Sequence, residues 1–117
     1  MEQKYIKGDI VMYDNRIHTI IDTLELNNYK LSYIKHPVNR AELSGVPLTP
    51  EILEKNGWSK GQIYFRNSRI PRIKLCTDGG ISWSVSINDD IMGSYINYVH
   101  QLQHILFAFG IGEEMEV

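Results

Sequence analysis

The segment ISWSVSIN, residues 81–88, alternates without a break. Ile81, Trp83, Val85 and Ile87 fall on one side; Ser82, Ser84, Ser86 and Asn88 fall on the other. That period of two marks an antiparallel strand with one oily and one wet face. The same period runs through residues 8–35 and predicts a three-stranded meander. GDIVMY is the first strand. The Asp14-Asn15 pair is a two-residue hairpin break. RIHTIIDTLEL, rich in β-branched residues, is the second strand. Asn27-Asn28 breaks the chain again, and YKLSYIK places Tyr29, Leu31 and Tyr33 on one face. In the second half, GQIYFRN and RIKLCT flank a turn near Asn67-Ser68, and Asp78-Gly79-Gly80 turns into the strand at 81–88. Residues 94–98 add a short strand. Short strands around tight polar turns predict a strongly bent sheet or a small barrel.

The pattern changes period in two places. In TPEILEKNGW, Thr49 is a helix cap, and Pro50 suits the first helical position, where a missing N–H goes unnoticed. Leu48 and Leu53 stand at the staple positions, Gly57 at the left-handed stop, and Trp58 just beyond it. This predicts a one-turn helix near 50–56 that holds only by packing. HPVNRAELSGVPL, residues 36–48, reads as a connecting loop interrupted by Pro37 and Pro47. In YVHQLQHILFAF, Val99, Leu102, Leu106 and Phe109 form an apolar stripe at helical spacing, widened by Ile105, and Gly110 ends it.

These elements predict an α+β fold over residues 1–117 as one domain: a strongly bent antiparallel β-sheet or small β-barrel packed against one C-terminal helix. The expected core includes Val11, Leu31, Leu53, Trp58, Ile73, Leu75, Trp83, Val85, Leu102 and Phe109. At 117 residues the chain is long enough to bury such a core unaided. The single cysteine, Cys76, rules out an internal disulfide framework and makes a reducing cytosol the expected compartment. No apolar run approaches the roughly 20 residues of a membrane span, and MEQKYIKGD lacks the apolar segment of a signal peptide. A cytoplasmic protein without membrane contact is expected. Net charge of −2 supplies no overall field for nucleic acid.

His100 and His104 stand one helical turn apart, the spacing of a paired metal ligand. A zinc site needs three or four protein ligands, and no H-E-x-x-H motif is present. His18, His36, Cys76 and the scattered carboxylates lack ligand spacing. The expectation is therefore a helix that covers the sheet with its imidazoles as bystanders, and no metal or other cofactor. Asp89-Asp90 has turn composition. No P-loop, G-x-S-x-G or G-x-G-x-x-G motif occurs.

Three segments together resemble a family of short uncharacterised proteins common in bacteriophages and in integrated elements of gut bacteria. YVHQLQHILFAFGIGEE is similar to that family's V-H-Q-L-Q ending. VPLTPEILEKNGW resembles its P-L-T-x-E-I-L middle signature, and IKGDIVMYDNRIHTIIDT its looser, glycine-led start. The resemblance spans nearly the whole chain in the same order. It implies a phage or prophage origin and an accessory role, and it supplies no catalytic residues. The family pattern has asparagine where this chain has His104, so the histidine pair is not part of it.

The densest chemical feature is RNSRIPRIK, with Arg66, Arg69, Arg72 and Lys74, and Tyr64 just ahead. Arginine forks suit phosphate oxygens, and an aromatic ring can stack on a base. On a hairpin, Arg72 and Lys74 point away from Ile73 and Leu75. The same cations also serve simply to keep an outer sheet face soluble. The leading expectation is a non-enzymatic accessory binding module acting on a host or phage protein. The alternative is a homo-oligomer that sequesters a nucleotide or other small phosphorylated ligand through Tyr64, Arg66, Arg69, Arg72 and Lys74. An enzyme using His100 or Cys76 has the least support in the sequence.

Overall fold

Asp14 and Asn15 both take positive φ, 50° and 62°, the signature of the two-residue turn whose twist matches paired strands. They fold Ile10–Tyr13 (β1) back onto Arg16–Thr23 (β2) with Ile10 opposite Thr19 and Met12 opposite Ile17. The structure, a computed structural model, describes residues 5–61, 64–77, 82–88, 90–110 and 115–117, with 91–94 as backbone. The expected turn at Asp78-Gly79-Gly80, Ile81 and Asp89 lie outside the described residues.

β2 leads through a 3-10 turn at Glu25–Asn27 to Asn28–Leu31 (β3). The left-handed residues there are Leu26 and Asn27, one position earlier than the predicted Asn27-Asn28 break. β3 ends at Leu31. Tyr33 takes φ 65° and is almost fully exposed, so it does not share a face with Tyr29 and Leu31 as predicted. The connector is also more ordered than a loop. Val38–Asn39 (β4) pairs with β3, and Ser44–Gly45 (β5) pairs with β1. Between them Asn39 caps the 3-10 turn Arg40–Glu42, its side chain accepting from Ala41 N–H at 3.0 Å. The resulting antiparallel sheet, in the order β4-β3-β2-β1-β5, curls into a half-barrel around Val11, Ile20, Tyr29, Leu31 and Val38.

The second half begins with Pro50–Lys55 (α1), capped as expected: Thr49 Oγ1 accepts from Ile52 N–H at 3.2 Å. Gly57 takes φ +88° and stops the helix. Trp58–Lys60 (β6), Phe65–Asn67 (β7), Ile73–Thr77 (β8), Trp83–Ile87 (β9) and Asp90–Ile96 (β10) then form a separate sheet in the order β10-β9-β8-β7-β6. Val99–Ala108 (α2) covers it. The architecture is thus α+β, with two antiparallel sheets instead of one continuous sheet. Of the predicted core residues, only Phe109 is less than fully buried; the guanidinium of Arg72 covers its ring at 4.9 Å. Among the described residues, no helix is long and apolar enough to cross a membrane.

The two sheets meet along residues 45–48. Val99 N–H donates to the Val46 carbonyl at 2.8 Å, and Leu48 N–H to that of Asn97 at 3.0 Å. Gly45 lies under the Tyr98 ring, where an added Cβ would sit 2.5 Å from Cγ. Gly45→Ala should therefore destabilise the fold by about 1–3 kcal/mol through overpacking. In a Tyr98→Gly background the same change should be nearly silent, because the three closest atoms, Cγ, Cδ1 and Cβ, all belong to that side chain. Urea unfolding of the four variants checks this.

Candidate functional site

Ser-rich outer strand faces aside, chemistry concentrates where the start of β1 meets α2. The i, i+3, i+4 spacing puts His100, Gln103 and His104 on one flank of the helix. Opposite them, the chain turns into β1 at Gly8-Asp9. Asp9 Oδ2 accepts from Ile6 N–H at 2.8 Å, and Asp9 N–H donates to the Ile6 carbonyl at 3.0 Å, so the side chain is fixed by its own turn. His104 Nε2–H donates to both oxygens of that carboxylate, at 2.8 and 3.0 Å. A carboxylate can only accept, which fixes the direction. Gln103 makes a second fastening: its Oε1 accepts from Ile10 N–H and its Nε2 donates to the Gly8 carbonyl, both at 2.9 Å.

His100 is buried deeper. Its ring stacks on Tyr98 at 5.8 Å and meets the edges of Tyr5 at 4.9 Å and His104 at 5.7 Å. Its Nδ1 is buried and has no hydrogen-bond partner among the described residues. Burial pushes its imidazole below the ordinary range; the Asp9 carboxylate pulls it back up, and His104 adds to the lowering. Burial likewise raises the Tyr5 phenol, helped by Tyr29. The imidazoles are not bystanders. They form part of the seam between the halves of the molecule. Among the described residues, no group of three or more His, Cys, Asp or Glu is placed to hold a metal ion.

Tyr5 also walls a cavity of about 330 Å³ with Ile6, Thr23, Leu24, Asn27 and Tyr29. Every residue lining it is uncharged. Beside it Leu26 is held in the left-handed region at φ 60°, ψ 38° and is 85% exposed. A bulky residue in that conformation is strained, and strain of this kind gathers at binding surfaces.

The structure divides the basic segment. Arg66 on β7 lies directly opposite Lys74 on β8, and Lys74 Nζ sits 5.7 Å over the Tyr64 ring. Arg72 leaves that face: its Nε donates to Asn88 Oδ1 at 3.2 Å while its guanidinium lies on Phe109. Arg69 sits in the turn after β7, where its N–H donates to Asn67 Oδ1 at 3.0 Å. Tyr64, Arg66 and Lys74 are brought together; Arg69 and Arg72 are not among them. Sequence reasoning missed Asp9, Gln103 and Tyr5. The available signal was a Gly-Asp pair at the head of a strand and three polar residues on one helix flank. Comparisons with protein-family models, curated proteins and solved structures find no match to this chain.

Proposed function

We propose that this chain is a non-enzymatic phage or prophage accessory module that docks on a host protein. The supporting observation is the exposed Leu26 beside the uncharged cavity, with Ile6 and Leu24 at its lip, each 41% exposed. An apolar group held out on a strained turn next to a neutral hollow suits an apolar or aromatic side chain of a protein partner. A free anion or cation would find no counter-charge in that lining. The binding reading is favoured over catalysis because Asp9 is 2% exposed with both oxygens engaged. Its carboxylate is closed to substrate and orients His104 as a structural group. The phage origin rests on the sequence resemblance.

The test places a photo-crosslinking residue at position 26 and, separately, at Ser59 on the far sheet, in the bacterial host. One host protein should be captured at position 26 and not at 59. The purified pair should then bind, and Leu24→Asp should weaken binding by about tenfold or more. Equal capture at both positions, or binding that ignores Leu24→Asp, overturns the reading.

One observation favours the alternative of a homo-oligomer that holds a small phosphorylated ligand. Arg66 and Lys74 lie directly opposite each other across the strand pair, a spacing that lets two cations close on one phosphate. Native mass spectrometry of the purified protein should then show a retained anion and a subunit count above one, both sensitive to Arg66→Ala with Lys74→Ala.

A further inference from the structure

We propose that the outer face of the second sheet binds single-stranded nucleic acid, seating bases between Tyr64 and Tyr95 and phosphates on Arg66 and Lys74. This site is separate from the docking surface at Leu26. It takes the two cations of the phosphate reading above and gives them a longer ligand. The strand register carries the inference. Phe65, Leu75, Val85 and Ile96 are buried, so the residues alternating with them face away from the core. One outward row crosses the sheet as Ser59, Arg66, Lys74 and Ser86, each directly opposite the next. The row beside it runs Cys76, Ser84 and Tyr95. Tyr64 extends that row at its other end. Phe65 pairs with Leu75, which sets Tyr64 level with Cys76, and Lys74 Nζ lies 5.7 Å over its ring.

Two tyrosines therefore bracket two small side chains, with two cations along the flank. β7 and β10 are three strand spacings apart, about 14 Å. That span takes about three bases stacked at about 3.4 Å. The cations lie one row over, about 7 Å along the strands, within reach of the phosphates of those nucleotides. Tyr95 is 68% exposed, a large aromatic ring presented to water. Charge selects a polyanion: neither row holds an Asp or Glu, although the chain has 14 of them against 12 Lys and Arg. The rings select unpaired bases, since a duplex keeps its base faces stacked inside while a single strand offers them. A lone phosphate would leave Tyr95 without a role. At net charge −2 the attraction is local, so few phosphates should be held.

The test is fluorescence anisotropy with a labelled oligothymidylate of about ten nucleotides, a typical site size for such surfaces. The protein should bind it at low salt, and two phosphate contacts on a single strand predict a slope of log affinity against log salt of about −1.4. Tyr95→Ala should weaken binding about fivefold or more, the cost of one lost base stack, whereas Tyr95→Phe should retain it. Arg66→Ala with Lys74→Ala should bring the salt slope to about zero. Tyr95 and Arg66 are exposed and Lys74 half-buried, so these variants should fold, which circular dichroism checks. Leu24→Asp, which tests the docking surface, should leave the affinity unchanged, so either reading can fail without the other. No binding of the oligonucleotide, a Tyr95→Ala variant that binds normally, an unchanged salt slope in the double variant, or equally tight binding of the matching duplex or of thymidine monophosphate overturns the proposal.

Discussion

Trp83→Ala should cost about 3–5 kcal/mol of folding stability. The indole is fully buried, meets Phe65 edge to face at 5.3 Å, and donates from Nε1 to the Leu48 carbonyl at 2.9 Å. Truncation empties the centre of the second sheet and leaves a buried carbonyl unpaired at the joint between the sheets. Trp83→Phe separates the two effects. It restores most of the packing and not the donor, so it should lose about 1–3 kcal/mol. Urea unfolding followed by circular dichroism, with Trp58 fluorescence as a second probe, measures both. A Trp83→Ala loss below about 1.5 kcal/mol, or a Phe variant as damaged as the Ala variant, would contradict this account of the core.

Local chemistry was the part most legible in the sequence. Asp14-Asn15, the Thr49-Pro50 cap and Gly57 each depend on a few adjacent residues, and each appears where the pattern placed it; the alternation about Trp83 holds through Val85, after which Ser86 is buried and Ile87 only half-buried. The misplacements came where a distant partner decides. Val38–Asn39 and Ser44–Gly45 carry almost no strand signal, yet the open edges of β3 and β1 recruit them as short strands. Tyr33 continued an alternation that ends at Ser32, whose N–H still donates to the Thr19 carbonyl, and at Tyr33 the positive φ turns the chain away. The division into two sheets was likewise invisible, because nothing in a period of two says which strand lies beside which.

The same limit governs the site. The helix stripe was read correctly from Val99, Leu102 and Leu106, and the polar flank was seen but left without work to do. Its meaning lies in Asp9 and Ile10, more than ninety positions away in the chain. The basic segment erred in the opposite sense. Proximity in sequence grouped Arg66 with Arg72, whereas the turn leading into β8 delivers Arg72 to Phe109 and Asn88, beside α2. Side chains two apart on a strand share a face only while both belong to the strand, and Arg72 precedes the first residue of β8.

His104→Ala should destabilise the protein more than Asp9→Ala, by about 3–5 against about 2 kcal/mol. The two partners look symmetrical as a pair and are not symmetrical in burial. Removing the imidazole leaves the Asp9 carboxylate at 2% exposure with the Ile6 N–H as its remaining donor among the described residues, and a buried charge short of partners is expensive. Removing the carboxylate leaves His104, whose side chain is 27% exposed, able to turn to water. Asp9→Ala still releases the turn at residues 6–9, since the Ile6 N–H loses its acceptor, so the loss is not zero. The double variant should lose less than the two single losses added, by about 1 kcal/mol or more, because the pair can be broken only once. Chemical denaturation of the two single variants and the double variant near neutral pH gives all three quantities. Equal single losses that add would mean that the seam is held by Gln103 and apolar contact alone, with the imidazole and carboxylate merely adjacent.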